Sequence, residues 1–146
     1  MRIKRVIVLD DNEMLLRAWE RILLRDGVSF FVTSHPEEAI EAITSEGVDL
    51  LICDLVMPQM DGFEFLNRVK NYLTHTQIVI TTGYVCDFSR LKIGLHSKDI
   101  HILLKPYGDL EKLDEFIQSL LNDKPILIPR TSLQNEDPEK FQFWNL

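Results

Sequence analysis

The sequence predicts an α/β fold in which helices cover both faces of one parallel β-sheet. Two observations indicate this: short apolar runs rich in β-branched residues recur along the chain, and segments with helical spacing of apolar residues separate them. Repeated strand–helix units imply a parallel sheet with right-handed crossovers. The length of 146 residues suits one domain and is short for two.

Five apolar runs are predicted strands, and each is followed by a predicted helix. The strands are residues 6–9, 28–33, 48–53, 77–81 and 100–104. The helices are residues 13–26, a segment from Ser34 to Gly47, a segment opened by the turn Asp61-Gly62, residues 87–96, and a segment from Gly108-Asp109 to residue 121. Trp19 lies on an apolar helical stripe and Cys53 lies within a strand, so both are expected in the core.

Residues 122–146 differ from the rest of the chain. They contain three prolines and an aromatic end, and they sustain neither helical nor strand periodicity. We therefore predict one domain over residues 1–121 and a tail or linker with no recognised domain over residues 122–146. For Phe141, Phe143 and Trp144 three possibilities stay open: folding back on the domain, binding a partner, or disorder.

Composition excludes several classes of function. Sixteen Lys and Arg against twenty-three Asp and Glu give a net charge of −7, so nucleic acid is not an expected partner. Apolar runs of about five residues fall far short of the ~20 that span a bilayer, and the N-terminal residues lack the apolar core of a signal peptide. Cys53 and Cys86 form no disulfide framework and no metal-binding cluster. The expected compartment is the reducing cytoplasm.

Polar residues follow four of the five predicted strands. They are Asp10 and Asp11, Asp54, Thr81 and Thr82, and Lys105. Because ligands of open parallel sheets bind beyond the carboxyl ends of the strands, we expect these side chains to converge on one edge.

Three converging carboxylates need a cation, because one of them otherwise takes up a proton. One lysine does not balance them, and a hard divalent ion with oxygen ligands, such as Mg²⁺, does. The first strand–helix turn is not glycine-rich, which disfavours a dinucleotide or flavin phosphate there. With Mg²⁺ bound, a phosphoryl group would fit this edge, contacted by Lys105 and a threonine hydroxyl, and Asp54 would be its nucleophilic acceptor.

These residues resemble the receiver domain of two-component response regulators over about residues 1–121. The resemblance depends on Asp10-Asp11, Asp54, Met57-Pro58 with Asp61-Gly62, Thr82-Gly83 and Lys105-Pro106, in this order and each at a predicted strand end or in the loop after it. It implies a doubly wound (βα)5 fold of the flavodoxin or CheY-like type, with a five-stranded parallel sheet in the order 2-1-3-4-5.

The resemblance also implies residue roles. Asp54 matches the phosphoacceptor, and Mg²⁺ would be held directly by Asp11, Asp54 and the backbone carbonyl of Val56, with Asp10 acting mostly through water. Thr82, which precedes the small residue Gly83, matches the switch hydroxyl. The phosphoryl donor would be a sensor histidine kinase or a histidine phosphotransfer protein.

Lys105 would pair with the phosphoryl oxygens, and the peptide before Pro106 is expected to be cis. Such a domain catalyses only its own Mg²⁺-dependent phosphorylation and dephosphorylation, so we do not predict an enzyme.

Three residues depart from the family pattern. Ile102 stands where the family usually has its switch aromatic, which leaves Tyr84 and Tyr107 as candidate substitutes. Val56 and Tyr84 stand two residues after Asp54 and Thr82, and we predict that both slow hydrolysis of the phosphoryl group.

Two other functions compete with a phosphorylated receiver. A phosphorylation-independent binding module is the main alternative, and Ile102 supports it. A phosphohydrolase of the haloacid-dehalogenase type is disfavoured. Such an enzyme needs a second aspartate two residues after its nucleophile, but the residue at that distance is Val56 for Asp54 and Asn12 for Asp10.

Overall fold

The computed structural model describes residues 2–83, 100–127 and 141–145. In chain order the elements are β1 (Lys4–Leu9), α1 (Glu13–Leu23), β2 (Val28–Thr33), α2 (Pro36–Glu46), β3 (Leu50–Asp54), α3 (Gly62–Val69) with a short 3-10 helix (Lys70–Tyr72), β4 (Gln77–Thr82), β5 (Ile100–Leu104), α4 (Leu110–Leu121) and β6 (Phe143–Asn145). None of the helices within these ranges has the length and hydrophobicity that a bilayer crossing requires.

The six strands form one sheet in the order β2-β1-β3-β4-β5-β6. The first five are parallel, which confirms the predicted fold class and the order 2-1-3-4-5. β6 is an addition, since it pairs antiparallel with β5. The parallel strands all end at one edge, and that edge carries the polar residues singled out in the sequence.

Caps set where the helices begin, and two of them lie beside that edge. The side chain of Asn12 accepts hydrogen bonds from the amides of Met14 and Leu15 at 3.0 and 3.2 Å, so α1 begins directly after Asp10-Asp11. Asp61 caps α3 by accepting from the Glu64 amide at 2.7 Å.

The other two described helices begin within a residue of their predicted starts. Asp109 caps α4 through the amides of Glu111 and Lys112. The cap residue of α2 is His35 and not Ser34, because Pro36 is the first residue of the helix.

Some boundaries differ from the prediction. α1 stops at Leu23 and not at residue 26, because its apolar stripe ends there and Leu24 is exposed. β1 begins two residues earlier than predicted, and β3 begins two residues later. The predicted helix over residues 87–96 lies outside the described residues.

Each face of the sheet packs against its own pair of described helices. The first layer holds α2 and α3 with the side chains of Leu9, Cys53, Ile80, Ile102 and Leu104, among others. The second layer holds α1 and α4 with Val8, Ile52, Val79 and Leu103, among others. Trp19 is buried in the second layer and Cys53 in the first, as predicted.

The aromatic end of the chain folds back on the domain, which is one of the three possibilities left open above. Phe141 and Phe143 pack against Phe116 of α4, with ring centroids 5.8 and 4.8 Å away. Trp144 lies on the opposite side of the sheet, in the layer of α2 and α3. Residues 141–145 therefore extend the core past β5.

Candidate functional site

The carboxyl ends of β1, β3 and β5 bring together three of the residues predicted to form the site. Asp10 follows β1, Asp54 is the last residue of β3, and Lys105 follows β5. The Lys105 Nζ lies 2.8 Å from Asp10 Oδ2 and 3.1 Å from Asp54 Oδ2. One ammonium thus bridges two carboxylates that are only 1% and 5% exposed.

Asp11 completes a group of three carboxylates around this point. One oxygen from each of Asp10, Asp11 and Asp54 lies within 4.8 Å of the others, and Asp11 is on the solvent side. Hard oxygen donors with access to water are what Mg²⁺ prefers. The donor set therefore fits a divalent cation.

Backbone amides orient the two buried carboxylates. Asp10 Oδ1 accepts from the Asn12 amide at 2.9 Å, and Asp54 Oδ1 accepts from the Val56 amide at 3.3 Å. Each carboxylate thus directs one oxygen at Lys105 and the other at the loop that follows its strand. The Val56 side chain is 52% exposed and has no polar atom beside the site.

The charges of the site are strongly coupled. Burial raises the pKa of Asp54 to about 6, the carboxylate of Asp10 adds to this, and Lys105 opposes it. Burial by itself would lower the pKa of Lys105, but its hydrogen bond to Asp10 and the charges of Asp10 and Asp54 outweigh burial and raise that pKa. Three carboxylates around one ammonium leave excess negative charge, which a dication would neutralise.

Thr81 and Thr82 end β4 beside the carboxylates, and both are buried. Strand alternation places Thr82 on the side of Ile80, in the layer of α2 and α3, and Thr81 on the opposite side. The carbonyl of Thr82 accepts from the Lys105 amide at 2.7 Å, which ties the end of β4 to the start of the loop after β5. The peptide between Lys105 and Pro106 is cis, as expected.

The structure separates the candidates for the switch aromatic. Ile102 is buried on the same side of the sheet as Thr82. Tyr107 lies in the other layer, in an edge-to-face contact with Trp19 at 5.5 Å. Burial raises the pKa of the Tyr107 phenol well above its ordinary value, with the charge of Asp10 adding to this. Tyr107 therefore does not stand in for the aromatic beside Thr82, and Tyr84 lies outside the described residues.

Asp61-Gly62 is predicted to be a turn, and the sequence gives no sign of how closely Gly62 approaches the site. A Cβ at this position would meet the backbone oxygen of Asp54 and the Cα of Leu55, each at 2.8 Å. The Gly62 amide also donates to the Leu55 carbonyl at 2.8 Å. The first turn of α3 thus presses against the end of β3, where only glycine fits.

The neighbour of Ile102 in the sheet is also not predicted from the sequence. In the register of β5 and β6, Trp144 lies directly opposite Ile102. The alternation of aromatic and polar residues at positions 141–143 was the available signal, but it is too short to identify a strand.

Comparison with known proteins agrees with this geometry. Residues 6–118 match the sequence model of the family described as response regulator receiver domain. The chain belongs to this family.

Individual relatives agree with the assignment. The transcriptional regulatory protein CrdR of Helicobacter pylori is 30% identical over 126 residues, which are 86% of this chain and 58% of CrdR. Sporulation initiation phosphotransferase F of Bacillus subtilis is 24% identical over 121 residues, which are 81% of this chain and 94% of that protein. A two-component response regulator from Clostridium difficile has the same fold, with a TM-score of 0.67, 24% identity, and coverage of 82% of this chain and 96% of that one.

The chain spans little more than half the length of some of these relatives. It covers 58% of CrdR and 56% of the alkaline phosphatase synthesis regulator PhoP of Bacillus subtilis.

Proposed function

We propose that this chain is a phosphorylation-controlled switch in which Asp54 accepts a phosphoryl group and alters the protein's contacts with partners. The observation that carries the proposal is the position of Lys105, whose Nζ lies between Asp10 and Asp54 at 2.8 and 3.1 Å. An ammonium at this place is available to the oxygens of a phosphoryl group on Asp54. Asp11 brings a third carboxylate to the same point.

The transfer reaction uses the side chains as follows. A carboxylate oxygen of Asp54 attacks the phosphorus of a phosphohistidine, the P–N bond breaks, and the imidazole nitrogen leaves with the electron pair and takes a proton from solvent. Lys105 exchanges its contact with the Asp54 carboxylate for contacts with the phosphoryl oxygens. The Thr82 hydroxyl is proposed to contact another of these oxygens.

Mg²⁺ would be held by Asp11, Asp54 and the carbonyl of Val56, with Asp10 acting mainly through water. Bound there, it supplies the positive charge that phosphoryl oxygens require. Asp10 remains fixed by the Asn12 amide and Lys105, so its role is to position the lysine and any bound water.

The proposal extends to partners and organisation. The donor is a sensor histidine kinase or a histidine phosphotransfer protein, and the output is a protein contact and not nucleic acid or membrane binding by this domain. The chain acts on no substrate other than the phosphodonor. The receiver domain spans residues 1–121, residues 122–146 form a tail whose residues 141–145 pack on the domain, and the protein acts in the cytoplasm.

Intact mass measurement tests this function. The protein is incubated with Mg²⁺ and acetyl phosphate, beside Asp54→Asn and a sample with EDTA. Asp26→Asn is the matched control, because Asp26 is an exposed aspartate in the turn before β2. We expect one phosphoryl group on the unmodified protein and on Asp26→Asn, and none on Asp54→Asn or with EDTA.

Failure with acetyl phosphate is followed by the same experiment with a phosphorylated histidine phosphotransfer protein. Absence of transfer from both donors contradicts the proposal and favours the phosphorylation-independent binding module. A phosphoryl group that still appears on Asp54→Asn shows that another residue is the acceptor.

A further inference from the structure

Residues 141–145 cover the edge of β5. Among the described strands, β5 would be the last of the parallel sheet if β6 did not pair with it. Ile102 lies opposite Trp144 and Leu103 opposite Phe143. The Leu104 amide also donates to the Gln142 carbonyl at 3.1 Å. The segment therefore forms hydrogen bonds with backbone groups that an edge strand would otherwise present to other chains.

Side chains fasten this segment on both sides of the sheet. Phe141 and Phe143 pack against Phe116, and Trp144, 4% exposed, packs in the layer that contains Ile102 and Leu104. The Trp144 Nε1 is buried and has no hydrogen-bond partner among the residues that the structure describes. An unpaired buried donor weakens the docked state relative to one in which water reaches the indole.

The segment is joined to the phosphorylation site through one peptide. Leu104 donates its amide to Gln142 of the tail, and the next residue, Lys105, donates its amide to Thr82 at 2.7 Å. The Lys105 side chain ends on Asp54. The end of β5 is thus held by the tail on one side and by β4 on the other, with the lysine of the site between them.

We propose that residues 141–145 form a phosphorylation-responsive strand that is docked on β5 when Asp54 is unmodified and released when Asp54 carries a phosphoryl group. This rests on the function proposed above. A phosphoryl group is larger than the carboxylate that Lys105 now contacts, so the lysine side chain has to move to accommodate it. In the proposed mechanism this movement also shifts the Leu104–Lys105 peptide. A strand of three residues is held by few ladder hydrogen bonds, so the main cost of opening it is the exposure of Phe141, Phe143 and Trp144. Release exposes the edge of β5 and the Phe116 side of α4.

Hydrogen exchange with mass spectrometry on the full chain tests the proposal. Peptides that cover residues 100–105 and 141–146 are followed with Mg²⁺, with and without acetyl phosphate, and Asp54→Asn is treated in parallel. We expect phosphorylation to accelerate exchange in both peptides by about tenfold, a typical coupling between two sites. Peptides from β1, in the centre of the sheet, are expected to stay protected.

The intact mass of the same samples separates the two ways of failing. A phosphoryl group on Asp54 with unchanged or slower exchange at residues 141–146 overturns the responsive strand and leaves the proposed function standing. Absence of the phosphoryl group both with acetyl phosphate and with a phosphorylated histidine phosphotransfer protein overturns both proposals. Faster exchange that also occurs in Asp54→Asn overturns the link to the site.

Reciprocity provides a second test that a purely structural role would not satisfy. If phosphorylation releases the strand, a change that weakens docking of the strand must in turn favour the phosphorylated state, by at most the coupling factor. Trp144→Ala is therefore expected to bind beryllofluoride, an acyl-phosphate mimic, several-fold more tightly in Mg²⁺. Leu127→Ala, at an exposed apolar residue ahead of the same segment, is the control and is expected to bind like the unmodified protein.

Equal or weaker beryllofluoride binding by folded Trp144→Ala contradicts the proposal, because a residue that only stabilises the domain would lower the affinity when removed. Should this variant fail to fold, the exchange experiment on the unmodified chain decides the question.

Discussion

Replacing Asp54 by Asn should stabilise the metal-free protein at neutral pH, although it removes a side chain of the site. Burial raises the pKa of Asp54 to about 6 from an ordinary value of 3.8, and the charge of Asp10 contributes to the rise. The folded protein therefore holds the proton of this carboxyl more tightly than the unfolded chain does. Asparagine has nearly the same shape, keeps an oxygen for the Val56 amide and carries no charge.

The magnitude follows from linkage between protonation and folding. A pKa of about 6 in place of 3.8 means that ionised Asp54 costs the fold about 3 kcal/mol. This cost in the free energy of folding is nearly absent below pH 3.8, grows between pH 3.8 and about pH 6, and is constant at higher pH. The contact of Lys105 with Asp54 is already contained in this net value. Since asparagine resembles the protonated acid, we expect Asp54→Asn to gain about 2–3 kcal/mol at neutral pH.

Urea denaturation in EDTA measures this gain. Unfolding free energies of the unmodified protein, Asp54→Asn and Asp26→Asn are compared at about pH 7.5 and about pH 4. The gain of Asp54→Asn should be present at the higher pH and nearly absent at the lower one, and the exposed control should show neither. A loss of stability at about pH 7.5, or the same gain at both pH values, would refute the electrostatic reasoning.

Four further predictions concern the same edge of the sheet. Lys105→Met leaves Asp10 and Asp54 buried without their cation, so it should destabilise the metal-free protein by about 3 kcal/mol in urea and abolish phosphorylation in the mass assay. Mg²⁺ at about 100 times its dissociation constant should raise the unfolding free energy of the unmodified protein by about 2.7 kcal/mol, with little effect on Asp54→Asn. Val56→Asn should shorten the lifetime of the phosphorylated protein, followed by intact mass, because an amide there can orient the attacking water; an unchanged lifetime contradicts this. Gly62→Ala should cost about 2 kcal/mol in urea because its Cβ meets the backbone of Asp54, and an unchanged stability would show that the loop yields freely.

The sequence predicted the parallel sheet and its polar edge because both depend on local patterns. The strands are short, mainly apolar runs, and four of the five parallel strands end at or next to a residue of the site, as Asp54 ends β3. The rule that parallel strands share one carboxyl edge then supplies long-range proximity without a contact being known. This is why Asp10 and Lys105, far apart in the chain, were expected together and lie 2.8 Å apart.

β6 could not be predicted in this way, because its existence depends on what it pairs with. Phe143–Asn145 is too short for periodicity to show, and its partner Ile100–Leu104 lies before a whole helix in the chain. The closeness of Gly62 to Asp54 is likewise a property of how α3 packs on β3, and a glycine in a turn gives no sign of it. The identities of the residues were enough to predict the chemistry of the site. How tightly the site is packed could be seen only in the three-dimensional structure.

Late pairing of β5 has a consequence for synthesis of the protein on the ribosome. β5 reads Ile-His-Ile-Leu-Leu, and the segment that closes its edge follows it by some tens of residues. At the ~5–20 residues per second of translation, several seconds separate the emergence of the two. During that interval a short apolar strand has an open edge, which is the feature that promotes pairing between nascent chains. The yield of native protein should therefore depend on translation speed after residue 104 and on chaperones that shield the open sheet.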